Sequence, residues 1–521
     1  MFARRDPDQR LATAACALLL TIAVAVALLT RAAEAPAAPG PAATSGKAKG
    51  QGKKKRSPKL SKEKKRRLRE ANRRQQQPNV IVIMTDDQND DMTGLSNVTR
   101  LIGSRGTTFT NSYVSFPLCC PSRATLLSGQ YAHNHGVVST ELPNGYNGLD
   151  HTNTLATWLR AVGYNTVMVG KYLNGYGIDD GIPERKSDAK EIPPGWSEWY
   201  ALTDNKDQRR YRYRLNENGR IHFYGTGRRN YVTDVLADKA VAYVKRRAPR
   251  PKPFFLWFNP SAPHGEAGRP PGSLRNPTPA PRHLGRFNDL LHPDLPSFNE
   301  EDVSDKPEFI EDQPELTAEE ITDMDLRYRG RAESLLSVDD AVKRLFGRLR
   351  KARDLGKTYV FFTSDNGLML GAHRLLFKDD IYEEATNVPL LVRGPRFPQG
   401  VSRDQFVSNV DLAPTIVELT DALPGRTMDG RSLVAAADDP AAGRGRSLLF
   451  ESERAGGNAA IRSGDFIYTD NGPDFIPELY DLVNDPYQLQ NLQGNPLYLT
   501  RKLQLAAQLA QIRRCSGASC P

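Results

Sequence analysis

Val80-Ile81-Val82-Ile83-Met84-Thr85-Asp86-Asp87-Gln88 is a short run rich in β-branched residues that ends on two adjacent carboxylates. Read as a β-strand, it sets a pattern that the 521-residue chain repeats at Thr166–Val169, Phe254–Phe258, Tyr359–Thr363 and Pro389–Val392. Helical patterns lie between these runs. Thr154–Val162 stops at Gly163, Tyr231–Arg247 follows, and within Glu320–Arg353 the residues Leu335, Val338, Val342, Leu345, Phe346 and Leu349 recur at helical spacing. The alternation predicts an α/β fold around a large mixed, mostly parallel sheet. Pro260–Pro314 is irregular and too long for a plain connection, so it reads as an excursion facing a substrate. After about residue 440 the pattern shortens to Ser447–Ser452, Ala459–Arg462 and Phe466–Tyr468, before a helix near Leu497–Ile512. Residues 78–440 are therefore expected to form the main domain, and 441–521 a small α+β subdomain with an antiparallel sheet.

The composition, 39% hydrophobic and 25% charged, is that of a globular protein and excludes collagen-like, coiled-coil and multi-span membrane classes. Five cysteines are too few for a disulfide framework, although Cys515 and Cys520 suit a small clip, the alternative being two exposed thiols. The formal charge of +10 belongs to a tail. Residues 47–74 hold 15 Lys/Arg against Glu63 and Glu70, which leaves residues 78–521 at −4. Nucleic acid is therefore not an expected partner, and the tail lacks the aromatics that stack single strands. Arg4, Arg5 and Arg10 precede the charge-free run Leu11–Thr30, so residues 1–33 read as a signal peptide or an N-terminal membrane anchor built on residues 11–30. Either places the remainder outside the cytoplasm, secreted or membrane-anchored. Residues 34–77 read as a disordered basic linker whose segment 47–74 is suited to contact an anionic surface.

Ligands of open α/β sheets bind beyond the carboxyl ends of the strands. Four predicted strands deliver Asp86 and Asp87, Lys171, His264, and Asp365 with Asn366 to that edge. The oxygen donors suit Ca²⁺, with Mg²⁺ less favoured, while Lys171 and His264 suggest an anionic substrate and a proton donor. The segment from Pro117 to Gly129 reads as a tight loop opening a short helix, and Arg123 beside its N-terminus makes an anion site. A thiol at Cys119 matches a hard cation poorly. Its bland reading, like that of Cys120, is a small buried residue.

Cys119-Cys120-Pro121-Ser122-Arg123, with Gly129 downstream, resembles the C-x-P-S-R signature of the sulfatase family. Gly170-Lys171-Tyr172-Leu173-Asn174, Pro194-Gly195-Trp196-Ser197-Glu198-Trp199-Tyr200 and Leu335-Leu336-Ser337-Val338-Asp339-Asp340 look closest to its N-acetylglucosamine-6-sulfatase and extracellular heparan-sulfatase branch. The resemblance implies an alkaline-phosphatase-like sandwich and hydrolysis of a sulfate ester, on a sulfated carbohydrate such as N-acetylglucosamine-6-sulfate. It also implies that a formylglycine-generating enzyme oxidises Cys119 to formylglycine, whose hydrate is the nucleophile. Asp86, Asp87, Asp365, Asn366 and the modified Cys119 would hold the cation. Arg123, Lys171 and Lys378 would stabilise the sulfate oxygens, and His264 would protonate the leaving alcohol. Two departures stand out: Leu173 occupies a position where many members have histidine, and Asn387 one where arginine is common. His135 and Asn174 are candidate substrate contacts, whereas His133 reads as structural. Two other functions remain open at this stage: a phosphomonoester or phosphonate hydrolase on the same scaffold, and a non-catalytic polyanion-binding envelope protein.

Overall fold

The computed structural model describes residues 77–178, 187–203, 209–248, 250–266 and 276–521. The expected leader, residues 1–33, and the linker up to residue 76, basic tract included, lie outside the described residues. Along the chain come β1 (Asn79–Thr85), β2 (Thr107–Phe109), β3 (Ser112–Tyr113), β4 (Asn165–Gly170) and β5 (Glu198–Thr203). Then follow β6 (Tyr213–Glu217), β7 (Arg220–Tyr224), β8 (Phe254–Asn259), β9 (Thr358–Ser364), β10 (Leu390–Arg393), β11 (Val401–Arg403) and β12 (Val407–Ser408). All but β3 and β12 join one ten-stranded sheet in the order β11-β2-β10-β9-β1-β8-β4-β5-β6-β7. The central strands β9, β1, β8, β4 and β5 are parallel, while β10 and the β6–β7 hairpin run antiparallel, so the sheet is mixed and mostly parallel as expected.

Helices cover both faces. In β1, Val80, Val82 and Met84 pack with Leu126, Leu127 and Ile416, while Ile81 and Ile83 pack on the other face with Val338, Val342 and Leu345 of the helix Ala318–Ala352. A strand covered on both sides has no solvent face for polar alternation, which is why it reads as an unbroken apolar run. Burying each of these side chains contributes roughly 1.5–3 kcal/mol. Thr317 and Glu320 cap the long helix reciprocally.

The registers decide where the strand ends meet. Thr85 pairs with Ser364, Ile83 with Phe258, and Gly170 with Asn259, so β1, β9, β8 and β4 end together. Their next residues therefore share one edge. Beyond, β13 (Leu448–Glu451), β14 (Ala459–Ser463), β15 (Phe466–Asp470) and β16 (Glu478–Asp481) form a four-stranded antiparallel sheet. The helix Leu499–Ile512 covers it with Leu505 and Leu509. Cys515 and Cys520 form a disulfide. No helix among the described residues is long and apolar enough to cross a membrane.

Candidate active site

Cys119 opens the helix Cys119–Ser128, which ends at Gly129 with a left-handed φ of 68°. Ser122 Oγ in the first turn accepts from Asn409 Nδ2 at 2.9 Å, anchoring that end. The Cys119 thiol, 1% exposed, lies 3.4 Å from Asp86 Oδ1 and 2.7 Å from Lys378 Nζ. Lys378 also contacts Asp87 Oδ1, and the loop carrying it is pinned by Asp379 N–H donating to Pro117 O at 3.1 Å. Lys171 Nζ reaches Asp86 Oδ2 at 2.7 Å. Arg123 brackets three strand ends. It donates from Nε to Asp365 Oδ2 and from Nη1 to Lys171 O, both at 2.8 Å, and Nη2 stands 3.7 Å from Asp86 Oδ2.

Ligand atoms of Asp86, Asp87, Cys119 and His264 lie within 4.8 Å of one another, a group able to hold a metal ion. Asp365 and Asn366 flank this group: Asp365 Oδ1 accepts from Asp87 N–H at 3.1 Å, and Asn366 Nδ2 donates to Asp87 Oδ1 at 2.7 Å. His264 thus falls within this group, while Asp365 and Asn366 adjoin it through Asp87. The carboxylates are hard donors in a buried, preformed cluster, which fits Ca²⁺.

Burial pushes the Asp86 carboxyl up, but Lys171, His264, Arg123 and Lys378 outweigh it and hold the pKa well below the ordinary range. For Cys119, burial and then Asp86 push the thiol far up, so the unmodified residue is a neutral thiol and a poor nucleophile. Burial carries His264 down to about 4 despite Asp87 and Asp86. Its Nδ1 faces Gly265 O at 2.7 Å and its Nε2 faces Asp87 Oδ2 at 3.5 Å. His264 and Lys378 keep 16% and 14% of their side chains exposed, whereas Arg123 and Lys171 are sealed, so the first two stand on the solvent side of the cluster.

The sulfatase family model matches residues 78–422. The chain belongs to the sulfatase family. It is 36% identical over 369 residues to N-acetylglucosamine-6-sulfatase of Homo sapiens, covering 68% of this chain and 64% of that protein. It is 32% identical over 494 residues to N-acetylglucosamine-6-sulfatase of Capra hircus, covering 85% and 84%. A protein solved in complex with its substrate D-glucosamine-2-N,6-O-disulfate shares the fold at a TM-score of 0.68 and 23% identity, covering 84% of this chain and 98% of that one.

In this sulfatase-family site, His135, one of the two expected substrate contacts, lies in the interior. The His135 ring is 5% exposed, and both its nitrogens are engaged, by Val137 N–H and the Thr125 hydroxyl at 3.1 Å each. The Asn174 carbonyl accepts from Cys120 Sγ at 3.8 Å, and its side-chain Oδ1 has no hydrogen-bond partner among the described residues. His133 bridges Glu451 and Cys515 O at 2.8 Å each, the structural role expected. Leu173 is fully buried. Asn387 lines a cavity of about 460 Å³ shared with Asn89, Phe298, Tyr328 and Arg331, whose walls include none of Cys119, Lys171, His264 or Lys378. Arg331 was not singled out in the sequence. It contacts Asp87 O and donates to Asn89 Oδ1 at 3.0 Å. Its signal is a buried arginine inside the apolar stripe of the long helix, four residues before Leu335.

Proposed function

We propose that this chain hydrolyses a sulfate monoester on a sulfated sugar of the N-acetylglucosamine-6-sulfate type. The observation that carries the reading is the buried Cys119 at a helix N-terminus, 2.7 Å from Lys378 and 3.4 Å from Asp86, in a cluster of carboxylates and cations. Formylglycine at Cys119 would supply an oxygen nucleophile, and Ca²⁺ held by Asp86, Asp87, Asp365 and Asn366 would lower its pKa and draw charge from the ester. The chain's own groups do the rest. Lys171 and Lys378 face the sulfate oxygens, and Arg123 Nη2, which has no hydrogen-bond partner among the described residues, adds a donor. His264, on the solvent side, delivers a proton to the leaving oxygen. The sugar enters on the side of His264 and Lys378.

On this reading, residues 78–440 are the catalytic domain and 441–521 a subdomain that buttresses it. An exported location suits the Cys515–Cys520 disulfide, which persists in oxidising compartments. Maturation would need a formylglycine-generating enzyme, and residues 47–74 would adhere to an anionic surface. Mass spectrometry of the peptide containing Cys119 tests the proposal: an aldehyde in place of sulfur is expected, and an intact thiol in active protein would overturn it. Cys119→Ser should stop at a covalent sulfate ester on the serine. Full turnover by that variant would rule the mechanism out. Paired aryl sulfate and phosphate substrates separate sulfatase from phosphatase action.

A further inference from the structure

The loop carrying His264 is gripped from behind by one fully buried arginine. Arg210 donates from Nη1 to Ser261 Oγ at 3.0 Å and from Nη2 to Ser261 O at 3.2 Å, and Nη2 also contacts His264 O. Its main-chain N–H donates to Glu266 Oε1 at 2.7 Å, and Glu266 Oε2 accepts from Thr278 N at 3.1 Å. Arg210 is itself fixed on the segment entering β6, where its carbonyl accepts from Val232 N at 3.0 Å. The turn is closed from within by His264 N–H donating to Ser261 O, also at 3.0 Å. Two carbonyls and a hydroxyl of one short turn thus converge on a single planar donor. A guanidinium is the side chain whose rigid fork serves several acceptors at fixed angles, which the ammonium of lysine does not do.

We propose that Arg210 is the positioning residue for proton donation by His264. Through Ser261 and the His264 carbonyl it sets where the imidazole stands beside Asp87. The inference rests on the reading of the chain as a sulfate ester hydrolase. The step uses His264 with both ring nitrogens protonated: Nδ1–H stays on Gly265 O, and the Nε2 proton is taken from solvent as the anionic ester binds. That Nε2 proton passes to the leaving oxygen, which keeps the electron pair of the broken S–O bond, while the nucleophile oxygen, already deprotonated, bonds to sulfur. A misplacement of about 1 Å costs on the order of 100-fold in such a transfer. That loss depends on the leaving group: a sugar alkoxide needs the proton, and a nitrophenolate scarcely does.

The experiment compares kcat/KM for N-acetylglucosamine-6-sulfate with that for para-nitrophenyl sulfate in the wild type, Arg210→Met, Arg210→Lys and His264→Ala. The sugar-to-aryl ratio should fall about 10-fold or more in Arg210→Met, in the same direction as in His264→Ala, with Arg210→Lys between Arg210→Met and the wild type. An equal loss on both esters in Arg210→Met would make Arg210 merely structural and overturn the proposal. An unchanged ratio in His264→Ala would overturn it through its premise. Should Arg210→Met fail to fold, Arg210→Lys carries the test: an unchanged ratio there overturns the proposal, and a lowered one supports it. Failure of the wild type, with formylglycine verified, to hydrolyse either ester would instead sink the functional reading.

Discussion

Asp87 has a left-handed φ of 63°, a conformation that costs a non-glycine residue on the order of 1–2 kcal/mol. Something must hold it there, and Arg331 does so by contacting its carbonyl from the long helix. The carboxylate of Asp87 is thereby aimed at Lys378, Asn366 and His264. Arg331→Met should weaken Ca²⁺ binding about 10- to 100-fold by calorimetry, the range seen when a group that orients a ligand is removed. An unchanged affinity with a lowered melting temperature would assign Arg331 to packing alone. Asp86, Asp87, Lys171, His264, Asp365 and Asn366 were legible in the sequence because each follows an apolar run. Arg210 was not, because the cluster Arg209-Arg210-Tyr211-Arg212 reads as solvated charge.

The end of β4 carries the argument at the scale of elements. Gly170 has φ 120°, and a Cβ there would stand 1.9 Å from Asn259 O of β8. Close approach of the two strands lets Lys171 N–H donate to Asn259 O at 2.9 Å and sends the lysine side chain to Asp86. Gly170→Ala should destabilise the protein by about 2 kcal/mol or more and lower kcat, measured by denaturant unfolding and turnover on an aryl sulfate. A stable, fully active alanine variant would show that β4 and β8 can part without moving Lys171. Strands β1, β4, β8, β9 and β10 and the long helices were readable from the sequence pattern, whereas β5 was not. The β6–β7 hairpin and β16 were not: β7 is largely exposed and β16 has only four residues, so neither has the apolar run that marks a strand.

For the whole molecule, stability depends on how the buried acids next to Lys378 titrate. Burial raises the Asp380 pKa from 3.8 to about 7, opposed by Arg454 and reinforced by Asp379 and Glu478. Across that window the folded chain keeps a proton that the unfolded chain has lost, so stability falls as pH rises from 3.8 towards 7. Asp380→Asn removes this dependence. Relative to the variant, the wild type should lose up to about 1.4 kcal/mol per pH unit across the window by denaturant unfolding, and parallel profiles would refute it. Calcium at 100 times its Kd should add about 2.7 kcal/mol to stability, and a chelator should remove it; a melting temperature indifferent to both would argue against a Ca²⁺ site. The sequence by itself determined the α/β class and the residue types at the strand ends, because burial on both faces of a strand and the break after it are written locally. Only the tertiary structure decided which group serves which. Arg123 is bound to Asp365, His264 stands beside Asp87, and Arg210 and Arg331 act from remote segments, because strand register and crossing loops join residues far apart in the chain.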